Sequence, residues 1–244
     1  MNWGYYANIF YKYDILTPIK LDTSVFCHAL LTGSSGSGKS YALLYLLGML
    51  LKSHPDIKVF VLDFKNSDDF LFLKSYRYFY SGDTCYNGIM DYYNLFVEAR
   101  KHNLSNSRHL IICEEYPSLL SYFQMKDKKG KSSYSSDILS SIAEILMLGR
   151  GIGFGVWVVT QRADSSLFSN GARDNFMVKI GLGKQSREQI GMIFTSEDIP
   201  NKIYKQGEGI LLADNHALIE VKYPMIQTLS DWKEHILSIL NHNT

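Results

Sequence analysis

Proline and cysteine are scarce in this chain, neither charge dominates, and no apolar run is long. Only five of the 244 residues are proline, so most of the sequence is free to enter regular helices and strands. The three cysteines, Cys27, Cys85 and Cys113, lie far apart and lack metal-ligand spacing. That argues against a disulfide-stapled scaffold or a zinc ribbon, and leaves reduced core cysteines in a cytoplasmic protein as the expectation. The longest apolar run, Tyr41 to Leu51, is about half of the roughly 20 residues that cross a bilayer. The opening "MNWGYYANIF" has no basic region followed by an apolar one, so neither a membrane span nor a signal peptide is expected. Twenty-five Lys plus Arg balance 24 Asp plus Glu, for a net charge of +1. Any contact with nucleic acid must therefore come from a local basic patch.

What the chain does contain is a large apolar fraction, 46%, enough for one sizeable core. Apolar runs rich in β-branched residues alternate with longer helical patterns, the signature of an α/β fold with a mainly parallel central sheet flanked by helices. Strands are expected at 29–32, 58–64, 109–113, 155–161 and 176–182, and helices at 39–52, 88–102 and 135–148. A C-terminal β-hairpin is expected at 207–223, with an Asp-Asn turn between two apolar runs. Residues 1–244 read as a single domain, with 1–27 as an N-terminal lead-in. The polar stretch "QMKDKKGKSSYSS" (124–136) reads as a mobile loop.

The stretch "HALLTGSSGSGKSYALL" (28–44) places Gly33, four intervening residues, then Gly38, Lys39 and Ser40 between an apolar strand and an apolar helix. This is the P-loop pattern in its required setting, which a flexible linker would not share. Gly33, Gly36 and Gly38 let the backbone of Ser34, Ser35 and Ser37 aim N–H groups at one anion, and the following helix adds its positive N-terminal end. Lys39 can reach the β- and γ-phosphates, and Ser40 can place its hydroxyl on Mg²⁺. ATP and Mg²⁺ are the cofactors expected.

Hydrolysis needs a carboxylate near the metal and a second group to activate water, both at a strand end beside the P-loop. "RHLIICEEYPSLL" (108–120) supplies Glu114 and Glu115 there: Glu114 to act on Mg²⁺ and Glu115 to polarise the water. Asp is the usual first member, so Glu114 is a departure whose longer side chain moves its oxygens by about 1.5 Å. In "GRGIGFGVWVVTQRAD" (149–164), Gln161 follows an apolar strand, where its amide can contact the γ-phosphate. Arg150 precedes the same strand, at its far end, and is better placed to serve a neighbouring subunit as an arginine finger.

The ordered set "PIKLDTSVFCHALLTGSSGSGKS", "VFVLDFKNSDDF", "LIICEEYPSLL" and "GRGIGFGVWVVTQR" resembles the FtsK/HerA superfamily of DNA-pumping ATPases, nearest the FtsK/SpoIIIE motor domain. His28 ahead of the P-loop strand, Asp63 with Lys65 behind it, and Asn175 in "NGARDNFMVKIGLG" fit the same pattern. The resemblance spans roughly residues 17 to 222. It implies a RecA-like core, Mg-ATP hydrolysis, a homo-hexameric ring and double-stranded DNA threaded through its centre. The membrane region and winged-helix DNA reader of the large chromosomal translocases have no counterpart in this sequence, and its size is nearer that of compact motors of mobile elements or viruses.

Two basic segments are candidates for DNA contact. "KDKKGK" offers Lys126, Lys128, Lys129 and Lys131 to phosphates, and "RADSSLFSNGAR" (162–173) offers Arg162 and Arg173 directly after Gln161. The leading expectation is an ATP-driven DNA translocase serving transfer, segregation or replication of a mobile element, with a loading or relaxase-type partner. The alternatives are a viral genome-packaging ATPase and a non-hydrolysing, nucleotide-dependent assembly scaffold. A kinase fits less well, because no lid or acceptor pocket is apparent.

Overall fold

The computed structural model describes residues 1–102, 108–163, 167–195, 197–200 and 202–243. Among these, ten strands form one mixed sheet flanked by helices. Its parallel part is built from β3 (Ala29–Gly33), β4 (Lys58–Asp63), β5 (Phe79–Ser81), β6 (His109–Glu114), β7 (Phe154–Thr160) and β8 (Val178–Leu182), in the spatial order β8-β3-β7-β6-β4-β5. β3, β4, β6 and β7 are almost wholly buried, because helices cover both faces. Such strands read as unbroken apolar runs, which is why their positions are visible in the sequence.

The other side of the sheet is antiparallel. β9 (Glu208–Ala213) pairs with β8, β10 (Ile219–Lys222) with β9, and β1 (Asn2–Tyr6) with β10, while β2 (Pro18–Lys20) closes the edge. Two expectations change here. The lead-in is integral to the sheet, since it supplies β1, β2 and the short helix α1 (Ala7–Tyr13) between them. The expected hairpin is no distinct terminal element, because its two strands lie inside the sheet and are followed by a further helix.

One face of the sheet carries α2 (Lys39–Ser53) and that last helix, α7 (Leu229–His242). Their backbones come close: Trp232 donates its indole N–H to the Leu44 carbonyl at 3.0 Å. A methyl at Gly48 would lie 2.2 Å from the Trp232 ring, so this helical glycine is required by packing. The opposite face carries α3 (Cys85–Lys101), α4 (Tyr116–Gly130) and α5 (Tyr134–Leu148) over a second apolar cluster that includes Phe60, Tyr92, Phe96, Ile142 and Phe154. A short helix, α6 (Arg187–Ile193), follows β8. Cys85 and Cys113 are buried free thiols, and burial pushes the Cys113 thiol up to about 12.

The loop expected at 124–136 is corrected. Residues 124–130 are the last turns of α4, and Lys131 ends the helix in the left-handed region at φ 55°. Its Lys, Gln and Met residues are good helix formers, and the apolar face begun by Leu119, Leu120 and Phe123 fixes their register. Asp127 then accepts N–H bonds from Tyr134 and Ser135 at 2.9 and 2.8 Å. It ties the end of one helix to the beginning of the next.

Candidate functional site

The site forms where β3, β4, β6 and β7 end side by side. β3 delivers the loop 34–38, in which Gly36 (φ 77°) and Gly38 (φ 93°) take conformations open to glycine. A Cβ at Gly38 would meet the Gly207 nitrogen at 2.9 Å, so that position also needs a bare backbone. Lys39, at the first turn of α2, curls back and donates from Nζ to the carbonyls of Gly33 (2.6 Å) and Ser34 (3.1 Å). It is 7% exposed, and burial lowers its pKa, against the pull of Glu115 and Glu114.

β6 ends in Glu114, and the next residue, Glu115, turns the chain into α4. Glu115 holds φ 54°, ψ 44°, a left-handed conformation that costs a non-glycine residue roughly 1–2 kcal/mol. Strain of this kind persists where surrounding contacts enforce it, often at functional sites. Here Lys65 Nζ pairs with Glu115 Oε1 at 3.1 Å, and Gln161 Nε2 donates to the same oxygen at 3.1 Å. Both carboxylates are buried. Glu114 differs in lacking such partners: Oε2 is buried without a hydrogen bond. Burial, then Glu115 and Asp63, push its pKa up to about 7. Asp63, in register with Glu114 on the neighbouring strand, accepts from the Ser67 N–H at 2.6 Å through Oδ2, while Oδ1 is left without a partner.

Lys39, Lys65, Ser67, Glu114, Glu115 and Gln161 line a cleft of about 410 Å³ together with Ser35, Gly36, Gly38, Ser40, Tyr41 and Gln206. Its chemistry suits a polyphosphate with a divalent cation. A lysine and a helix N-terminus face the anion, while a hydroxyl at Ser40 and an unpartnered buried carboxylate oxygen at Glu114 fit the metal's preference for hard oxygen ligands.

Of the expected residues, Gly33 to Ser40, Glu114, Glu115 and Gln161 meet here. Gln161 touches Glu115 directly, a contact the sequence did not indicate. Lys65, Ser67 and Gln206 were not among the expected site residues. Lys65 was signalled by its place two residues past a buried strand and by the family pattern around Asp63, but without a role, and the adjacency of β4 and β6 is what brings it in.

The others lie elsewhere. Arg150 sits in the 3₁₀ turn Gly149–Ile152, before β7 and at its far end as expected, and lines a separate cleft with Cys27 and Arg108. At about 3.3 Å per residue, β7 puts it roughly 20 Å from Gln161. Lys126, Lys128, Lys129 and Lys131 fall at the far end of α4, about 20 Å along the helix axis from Glu115. Lys126 pairs with Asp83 at 2.7 Å. Arg162 and Glu188 form an exposed pair at 3.5 Å, and Arg173 belongs to a 3₁₀ segment, Ser169–Asn175. Residues 164–166 of the expected 162–173 contact segment lie outside the described residues. Among the described residues no helix is long and apolar enough to cross a membrane.

No protein-family model matches the chain. A curated relative, the FtsK domain-containing protein YdcQ of Bacillus subtilis, is 24% identical over 237 residues, covering 87% of this chain and 46% of that protein. The chain thus spans less than half of the curated relative it matches. Among solved structures, the cytoplasmic domain of the type VII secretion ATPase EccC of Thermomonospora curvata superposes with a TM-score of 0.69 at 20% identity. That match covers all of this chain and 30% of EccC. The pCW3 conjugation coupling protein TcpA, solved with ATPγS, gives 0.68 at 18% identity, covering 93% of this chain and 68% of TcpA. At these identities the structural likenesses bear on the fold, a RecA-like P-loop core.

Proposed function

We propose that this chain binds and hydrolyses Mg-ATP and couples the cycle to movement along double-stranded DNA, as one subunit of a homo-hexameric ring in the cytoplasm. A single observation carries the reading: Lys39, Glu114, Glu115 and Gln161, drawn from three separate segments, line one cleft at the strand ends. Lys39 exchanges its bonds to the Gly33 and Ser34 carbonyls for the β- and γ-phosphates. Ser40 and Glu114 would hold Mg²⁺, which supplies charge neutralisation at the phosphate oxygens. Glu115, steadied by Lys65 and Gln161, takes the proton of the attacking water. Gln161 links that carboxylate to the segment leading toward Arg162.

DNA as the cargo rests on the order of motifs and on the likeness to an FtsK-domain protein, since folds of secretion and conjugation ATPases match equally well. Service to a mobile element, with a loading or relaxase-type partner, follows from the same reading. The longer Glu114 keeps the non-hydrolysing scaffold as a second reading.

The test is ATP turnover with and without duplex DNA, alongside mass by light scattering with nucleotide. Turnover stimulated by DNA and abolished in Lys39→Ala is expected. Turnover untouched by Lys39→Ala would overturn the site. ATP binding without turnover would favour the scaffold, and turnover indifferent to DNA would remove DNA as cargo.

A further inference from the structure

We propose that Glu208, the first residue of β9, is a positioning residue for the phosphate cradle: it braces the turn 205–208 that holds the P-loop backbone, and α1 is part of the brace. The inference rests on the P-loop reading above and names what sets that loop's grip on phosphate.

The turn meets the loop at one peptide. Gly207 N–H donates to the Ser37 carbonyl at 2.9 Å. In a trans peptide the carbonyl and the following N–H point in opposite directions, so anchoring the Ser37 carbonyl on the turn aims the Gly38 N–H away from it. Gly38 lines the phosphate cleft, and its N–H is one of those that a P-loop turns on an anion. Ser37 is confined on a second side. A Cβ at Gly183, just past β8, would lie 2.9 Å from the Ser37 Cβ, and the Gly183 N–H donates to the Glu208 carbonyl at 2.8 Å. Both constraints on Ser37 therefore run through backbone joined to Glu208.

The side chain of Glu208 fixes that backbone. It is 5% exposed, and three segments donate to its carboxylate. The Lys205 N–H reaches Oε2 at 3.4 Å and closes the turn on itself, while the Glu208 N–H donates to the Lys205 carbonyl at 3.0 Å. Lys222 Nζ reaches Oε1 from β10 at 3.1 Å, and the Tyr11 hydroxyl reaches the same oxygen from α1. The Lys222 ammonium also lies over the Phe10 and Tyr11 rings, at 4.8 and 5.3 Å from their centres, so α1 holds both the carboxylate and its cation. Burial works to raise the carboxyl's pKa, but the Tyr11 and Lys222 bonds outweigh it and leave the group below its usual value. A buried ion pair adds little net stability, because desolvation offsets its attraction, and its best attested use is to fix register. What this pair registers is a turn whose next residue back, Gly207, carries the P-loop contact.

Amide exchange followed by NMR, together with calorimetry using Mg²⁺-tripolyphosphate and Mg-ATP, tests this on the full chain. Glu208→Gln keeps the shape and removes the charge. It should speed exchange at the Gly207 amide by about tenfold, leave the amides of β7 unchanged, and weaken both ligands by about fivefold to tenfold. Tyr11→Phe, at a position 51% exposed, leaves the core intact and should act in the same direction by about threefold. Because coupling between two sites is reciprocal, bound tripolyphosphate should slow Gly207 exchange in the wild type. Unaltered ligand affinity in both variants, unaltered Gly207 exchange in both, or no slowing by bound tripolyphosphate would overturn the brace alone. Exchange that rises equally throughout β7 in both variants would make the role one of general stability and overturn it too. Failure of the wild-type chain to bind tripolyphosphate, or equal binding by Lys39→Ala, would overturn the P-loop reading and this inference together.

Discussion

His28 stands immediately before β3, the strand that carries the P-loop, and is fully buried. Its Nδ1 accepts the Val156 N–H at 3.1 Å, so the ring's hydrogen is on Nε2, which has no partner. Protonation would put a second hydrogen against the Val156 N–H and a charge into the core. Burial, reinforced by Arg150, accordingly pushes the imidazole from its ordinary 6.5 down to about 4. Between those values the unfolded chain binds the proton and the folded chain does not, so stability is complete above pH 6.5 and falls as the pH drops through the window. A shift from 6.5 to about 4 amounts to roughly 3 kcal/mol once the pH is below both values, of which about 2 kcal/mol is already lost at pH 5. Other groups titrate over the same range, so the measurement is a difference. Urea denaturation at pH 7.5 and 5.0 is compared between the wild type and His28→Asn, whose Oδ1 can accept the same N–H without becoming charged. The variant should lose about 2 kcal/mol less than the wild type across that interval. Equal losses would show that His28 takes up its proton in the folded protein at no cost and that its buried, neutral placement is wrong.

Glu115→Gln should retain ATP binding and lose turnover by about 10² to 10⁴; if Glu114→Gln does this instead, their roles are exchanged. Glu115→Gly should be more stable than Glu115→Ala by about 1 kcal/mol in chemical denaturation, because only glycine adopts φ 54° without strain; equal stabilities would mean the turn is not strained. Arg150→Ala should impair only the assembled form, and mixing it with Glu115→Gln should restore activity at mixed interfaces; no rescue in proteins shown to co-assemble would leave Arg150 an ordinary surface residue. Joint replacement of Lys128, Lys129 and Lys131 by Ala should flatten log affinity for duplex DNA against log salt by about 0.9 per lost contact. Lys126→Ala should flatten it less, since Asp83 already neutralises that lysine; an unchanged slope in the triple variant would move the DNA contact to Arg162 and Arg173.

Strands β3, β4, β6 and β7 are legible in the sequence because both of their faces are covered, so their composition carries no competing polar signal. β1 is not, since "NWGYY" mixes polar and apolar residues, contains Gly4 at φ 128°, and becomes a strand because β10 and β2 offer it partners on either side. The end of α4 shows the opposite failure. "KDKKGK" reads as a loop by polarity, yet its residues continue a helix whose apolar face was laid down two turns earlier. The site divides along the same line. Gly33 to Ser40 are set by local backbone chemistry, which sequence spacing records directly. Lys65 and Gln161 reach Glu115 only because β6 lies between β4 and β7, and that order is a property of how the chain crosses the sheet. From β3 the chain passes to β4, past the places later filled by β7 and β6, so the strands carrying Glu115 and Gln161 are laid into a gap already flanked by the P-loop and Lys65. Open α/β sheets bind ligands beyond the carboxyl ends of their strands, where crossovers diverge. In this chain that gap is also where two polar side chains, Lys65 and Gln161, converge on one carboxylate oxygen of Glu115: the cleft's charge pattern is thus a consequence of strand order, acting on residues whose separation in sequence conceals it.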